Sequence, residues 1–181
     1  MVLGRFDRAV ELASRVAERD PLRPAAFTNL AYFAYTAGQF DLCEEASKKA
    51  IAVGPEYPGA RLTLAQLRLA QKKYAAAAQE VELEGHPLLK AVGEALVAHD
   101  TGNVEGGRFA IETLETDYSD MGAYQIANVY AYRDEPDRAL EWLERAYSLR
   151  DPGLIQLKVD PLMVNLRGDP RYQAMLDRLG L

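Results

Sequence analysis

Few side chains of this 181-residue chain are spaced for covalent chemistry. The two histidines, His86 and His99, stand thirteen residues apart, whereas zinc takes three or four ligands at closer spacing, so no metal is expected. Cys43, in DLCEEA, is the one cysteine; it has no second thiol and no metal-ligand pattern around it. Glu80, Glu82 and Glu84, and Glu112 and Glu115, could act as acid/base pairs, but on helices of an acidic protein such runs are expected to be a solvated face. GNVEGG, residues 102–107, is glycine-rich but lacks the lysine of a phosphate loop, and no nucleophile elbow or Ser/His/Asp grouping appears. No catalytic residue, no cofactor and no enzyme activity are expected. The chemistry that remains is non-covalent, carried by tyrosines and amides, which offer large contact area and hydrogen bonds at low entropy cost.

Composition narrows the partners. Apolar residues make up 49% of the chain, enough for the core of one ordinary domain spanning 1–181 without disulfide staples. The net charge of -6 and pI near 5.0 repel phosphate backbones and anionic lipid heads, so neither nucleic acid nor membrane is an expected partner. MVLGRFDRAVE lacks the long apolar run of a signal peptide, and no segment has the roughly 20 apolar residues that span a bilayer. With one cysteine, a reducing cytoplasm fits best.

An internal period organises the chain. GRFDRAVELASRVAERDP (4–21) aligns with GQFDLCEEASKKAIAVGP (38–55) at a constant shift of 34 residues: Gly4, Phe6, Ala9, Val16 and Pro21 meet Gly38, Phe40, Cys43, Ala50 and Pro55. Four helix pairs follow, over 24–57, 58–87, 88–119 and 120–152, after a partial repeat in 1–23. Small residues at Ala31, Ala65, Ala95 and Ala127 let paired helices approach closely. Gly54-Pro55 and Asp151-Pro152 end helices, Gly85 and Pro87 cut one short, and the TAGQ and DTGN turns use glycine where positive φ is cheap. Arg61 and Arg68 break the pattern where aromatic residues are expected to pack. In the closing segment, 153–181, Pro161 and Pro170 each follow an aspartate suited to N-capping, as the end cover that stacked repeats need.

Across nearly its whole length the chain resembles the tetratricopeptide repeat family, with Phe27, Leu30, Ala31, Leu64, Ala65, Ile126, Ala127, Tyr130 and Ala139 at the places of that repeat. The resemblance implies an all-α fold: a right-handed α-solenoid of antiparallel helix pairs with a C-terminal capping helix. From NVYAYRDEPDRALEWLERAYSLRDP to LRGDPRYQAMLDRLGL the chain is similar to the ends of arrays in bacterial signalling proteins linked to kinase, cyclase or transcription-regulator domains. It departs from them at Met163-Val164-Asn165. Trp142 is expected to pack against the tail.

In that family the first helix of each pair lines a concave groove. The resemblance places Thr28, Asn29, Tyr32, Tyr35, Gln66, His99, Tyr124, Asn128 and Tyr132 there, with Thr36, Leu62, Leu69, Lys73, Val92, Leu96, Asp100 and Gln125 beside them. A clamp for peptide carboxylates is excluded, because Thr28 and Tyr32 stand where it needs lysine and asparagine. The expected function is a non-enzymatic module that binds a protein or peptide in the groove; a small ligand there has only the aromatic lining in its favour. Residues 4–21 read as the second helix of a repeat whose first helix would precede residue 1. The face of Phe6, Ala9, Val10, Ala13 and Val16 is therefore expected to lack its partner. Either the chain is the C-terminal part of a longer protein, or Phe6, Val10 and Ala13 form a homodimer contact.

Overall fold

Prolines open helices where a missing N–H costs nothing: Pro24, Pro87, Pro136 and Pro170 each stand in a first turn. The computed structural model describes residues 6–181; the part of the expected first half-repeat in residues 1–5, Gly4 included, lies outside the described residues. Ten α-helices follow one another: α1 (Phe6–Arg19), α2 (Pro24–Thr36), α3 (Phe40–Val53), α4 (Ala60–Ala70), α5 (Tyr74–Glu82), α6 (Pro87–Thr101), α7 (Val104–Asp117), α8 (Ala123–Tyr132), α9 (Pro136–Leu149) and α10 (Pro170–Leu179). Two short 3-10 helices, η1 (Pro152–Gln156) and η2 (Pro161–Leu166), lie between α9 and α10. The turn inside every pair contains one left-handed residue, at Gly38, Lys72, Gly102 and Asp134. Glycine takes this conformation without strain, and the other two repeats adopt it with ordinary side chains.

The packing is that of a TPR-like solenoid. α2 pairs with α3, α4 with α5, α6 with α7 and α8 with α9, while α2, α4, α6 and α8 also touch in succession and form the inner layer. The alanines at 31, 65, 95 and 127 are almost wholly buried at these contacts. Gly93 shows how close the approach is: a Cβ there would stand 2.6 Å from Val81 Cγ2 on α5. Larger side chains fill the remaining space, among them Leu67, Leu96, Leu114, Ile126 and Leu143.

The N-terminal helix is rotated from its expected orientation. Val10 and Ala13, placed by the period on an uncovered face, are buried with Ala17 in the cluster that includes Leu30 and Ala31 of α2. The apolar side chains of α1 at the surface are Leu12 and Val16, 46% and 49% exposed, with Phe6 half-buried. In α3 the positions 34 residues on from Ala9 and Val16, Cys43 and Ala50, are buried. A second helix of this kind has two faces, one for its own first helix and one for the next repeat; α1 covers only the latter.

Positions that broke the repeat pattern carry ion pairs. Arg68 of α4 donates from Nη1 and Nη2 to both oxygens of Glu44 on α3, each at 2.8 Å, and Arg61 reaches Glu80 of α5 at 3.0 Å. The acidic runs are more than a solvated face. Glu84 is buried and accepts from the backbone N–H groups of Gly59, Leu62 and His86. Glu115 accepts from Tyr130, Arg138 and Trp142. Trp142 thus directs its indole N–H to α7, while its ring belongs to the buried cluster that also holds Tyr172, Met175 and Leu176 of the tail. Glu82 is exposed, as expected, and so is Glu112.

The Arg68 guanidinium, with Lys48 beside it, holds the Glu44 carboxyl down at about 2 from an ordinary 4.5. Between those values the unfolded chain takes up the proton and the native chain does not, so the stabilisation is complete above the ordinary value and is lost as pH falls toward 2. Glu44→Gln is expected to lower stability by about 1 kcal/mol at pH 7. Urea melts of both proteins from pH 7 down to pH 2.5 should show this gap closing on the acid side.

Candidate functional site

The tail packs on the C-terminal end of the inner layer, where η1 and η2 meet α8. Tyr124 and Asn128 lie four residues apart on one face of α8, so both side chains meet whatever packs there. Opposite them, Asp-Pro recurs at intervals of nine residues, at 151, 160 and 169. Each aspartate turns one oxygen back on the chain: Asp151 accepts from Gly153 N at 2.8 Å, Asp160 from Leu162 N at 2.9 Å and Asp169 from Arg171 N at 2.8 Å. The second oxygens of the first two grip α8. Asp151 Oδ2 accepts from Tyr124 N at 3.0 Å, and Asp160 Oδ2 accepts from the Tyr124 hydroxyl at 2.8 Å and from Asn128 Nδ2 at 3.0 Å.

Apolar packing secures the same segment. Leu154, Leu157, Val159, Leu162, Met163 and Leu166 are buried, and Asn165 donates to the carbonyl of Ala131. Met163 and Asn165 therefore attach the tail to the solenoid. Gly153 passes so close to α8 that a Cβ would stand 2.4 Å from Tyr124 Cδ1. Burial raises the Asp160 carboxyl above its ordinary value against the opposing pull of three hydrogen bonds, and burial also pushes the Tyr124 hydroxyl well up.

Between tail and inner layer lies a cavity of ≈ 490 Å³. Of the nine residues expected in the groove, Thr28, Asn29, Tyr32, Tyr35, Gln66, Tyr124 and Asn128 line it, drawn from α2, α4 and α8. Tyr124 and Asn128 do so as buried partners of the tail, where the repeat register had them open to a ligand. His99 and Tyr132 fall outside this lining and form a pair of their own. Their rings meet edge to face with centroids 5.6 Å apart, and the Tyr132 hydroxyl donates to Asp100 at 2.9 Å. Leu62, Val92 and Gln125 join the lining, whereas Leu69 and Leu96 are core residues and Lys73 stands exposed at the start of α5. The repeat pattern did not reveal the tail's share of the wall: Ile155, Gln156, Val159, Asp160 and Leu162. Its visible trace in the sequence was the nine-residue Asp-Pro spacing.

The wall is suited to hydrogen bonding. Four buried oxygens among its residues have no partner: Thr28 Oγ1, Tyr32 Oη, Gln125 Oε1 and Asn128 Oδ1. Burial lifts the Tyr32 and Tyr35 hydroxyls above their ordinary range, with the Asp160 charge adding to it, so both stay protonated at neutral pH. Among the described residues no group of three or more His, Cys, Asp or Glu is placed to hold a metal ion.

No protein-family model matches the chain, and no curated protein matches it. One solved structure that it is similar to is that of Naa15/Naa10 bound to HypK-THB, at 23% identity and a TM-score of 0.40. The match covers 97% of this chain and 29% of that one, so the chain spans less than a third of its length.

The close passage of Gly153 against α8 is open to test. Gly153→Ala is expected to lower stability by about 1–3 kcal/mol by forcing the tail off Tyr124. Hydrogen exchange should speed up over 152–166 and stay slow in α2 and α3. Gly168→Ala, with nothing within 4 Å of the added Cβ, is the near-neutral control.

Proposed function

We propose that the protein is a non-enzymatic binding module that holds a peptide or protein segment along its concave face. The observation that carries this reading is the convergence of Thr28, Asn29, Tyr32, Tyr35, Gln66, Tyr124 and Asn128 on one cavity. Helices hold these groups in place before a partner arrives, so docking costs little side-chain entropy. The partner runs past the tail, using Asn29, Tyr35 and Gln66 on the side away from α8, while Tyr124 and Asn128 form the floor. His99 and Tyr132 belong to a neighbouring part of the same inner layer. A regulatory setting in bacterial signalling is part of this proposal, as the resemblance read from the tail's sequence implies. No helix among the described residues is long and apolar enough to cross a membrane. The proposed place of action is the cytoplasm, in keeping with the single cysteine.

Panning a random peptide library against the full chain tests this reading. Enriched peptides should bind at least tenfold more weakly to Tyr35→Ala and Gln66→Ala, with unchanged helicity. They should bind equally well to Phe109→Ser, whose side chain is 68% exposed on α7. Affinity insensitive to both groove variants would remove the groove from the mechanism.

A second reading is self-association through α1, and the exposure of Leu12 and Val16 favours it. The contact would centre on those two side chains, because Val10 and Ala13 are committed to the core. If copies pair this way, light scattering should report a dimer at micromolar concentration and a monomer for Val16→Glu. A wild-type chain that is monomeric throughout would end the idea.

A further inference from the structure

The cavity on the concave face has an unusual charge balance. Of its twenty lining residues, Asp160 is the only one with a carboxylate, and none has an ammonium, guanidinium or imidazole group. Asp160 is 4% exposed, and its three hydrogen-bond donors, Leu162 N, the Tyr124 hydroxyl and Asn128 Nδ2, are all neutral. No ion pair within the described residues involves it, although buried carboxylates are ordinarily paired with a cation.

Two amide oxygens near Asp160 lack a donor. Asn128, 8% exposed, turns its Nδ2 to the carboxylate, which leaves its Oδ1 as an acceptor without a donor. Gln125 Oε1 is likewise an unpaired acceptor, and the Thr28 and Tyr32 hydroxyls, also without a partner, can each turn a lone pair or a proton toward what enters. One buried carboxylate with no cation in the lining, beside two amide oxygens that lack a donor, disfavours anions and matches a group rich in N–H donors. Leu62, Leu89, Val92, Ile155 and Leu162 cover the rest of the cavity with apolar surface, which suits a hydrocarbon stem.

We propose that this cavity recognises an organic cation, an ammonium or guanidinium group carried on a short apolar stem. The head group is held by Asp160, Asn128 and Gln125, with the Thr28 and Tyr32 hydroxyls beside it. The inference deepens the groove reading by naming the chemistry of what enters the groove. The same head group belongs to a lysine or arginine side chain of a bound peptide and to a free small amine.

The test titrates the full chain with n-butylammonium and n-butylguanidinium ions, with 1-butanol as the neutral probe of equal stem length. NMR of the Asn128 and Gln125 side-chain amides and calorimetry give the readout. At least one cation should saturate with a dissociation constant on the order of millimolar, and 1-butanol should not. Asp160→Asn, which keeps an oxygen for the Leu162 N–H, should weaken binding at least tenfold. Gln125→Leu should weaken it at least threefold, and because its side-chain oxygen has no internal partner this variant decides the matter if Asp160→Asn fails to fold. No saturation by either cation, equal response to 1-butanol, or unchanged affinity in the folded variants would each overturn the proposal.

The library peptides separate this inference from the reading beneath it. Enriched peptides whose one lysine or arginine is essential identify a side chain as the source. Cation binding with no peptide enriched identifies a free amine and defeats the peptide reading alone. Peptides that bind the groove without a basic residue, together with silent cations, defeat the cation proposal alone.

Discussion

A buried carboxylate joins the two parts of this structure. Asp160 starts η2 by accepting from the backbone of Leu162, and its other oxygen reaches the Tyr124 hydroxyl and the Asn128 amide on α8. A hydrogen bond to a charged acceptor is stronger than one between neutral groups, and in a dry setting it is costly to leave unmade. With the buried apolar side chains of the tail and the contacts of Asp151 and Asn165, that side chain sets the position of the tail, closes the cavity and covers Tyr124. Asp151 repeats the arrangement one interval earlier on the α8 backbone.

The inner layer supplies the other half of the arrangement. Alanines 31, 65, 95 and 127 are buried where its helices cross their neighbours, and α2, α4, α6 and α8 touch in succession, so that Thr28 and Asn128 share one cavity although they stand three repeats apart. Larger side chains at those crossings would separate the helices and open the wall. The ion pairs of Arg61 and Arg68 work on the outer side, tying α4 to α5 and to α3 where the repeat pattern has aromatics. A bidentate guanidinium–carboxylate contact fixes orientation as well as distance, which suits a joint between two helices.

The helix pairs were legible because their causes are local: a 34-residue period, small residues at fixed positions, and glycine or proline at turns. Seven of the nine proposed groove residues came together because they follow that same register. What the register missed depends on contacts between distant segments. The capping role of Asp160 was readable from the Asp-Pro pair, but its grip on Tyr124 and Asn128 needs the path of the tail in space. Arg68 read as a defect because its partner, Glu44, lies on the preceding helix. The buried face of α1 departs from the 34-residue period because the shift equates α1 with α3, which among the described residues is covered on both sides while α1 is covered on one.

Solenoids are modular as a rule: each repeat contacts its neighbours, and units can be gained or lost with the rest intact. The joint wall of tail and α2 removes that freedom here. Deleting one helix pair would shift Asp160 relative to Thr28 and Tyr32 by a full repeat, and the cavity would be gone even if every remaining interface survived. The number of repeats between α2 and the tail is thus part of the cavity's specification, set by a chord across the array as well as by the stacking along it.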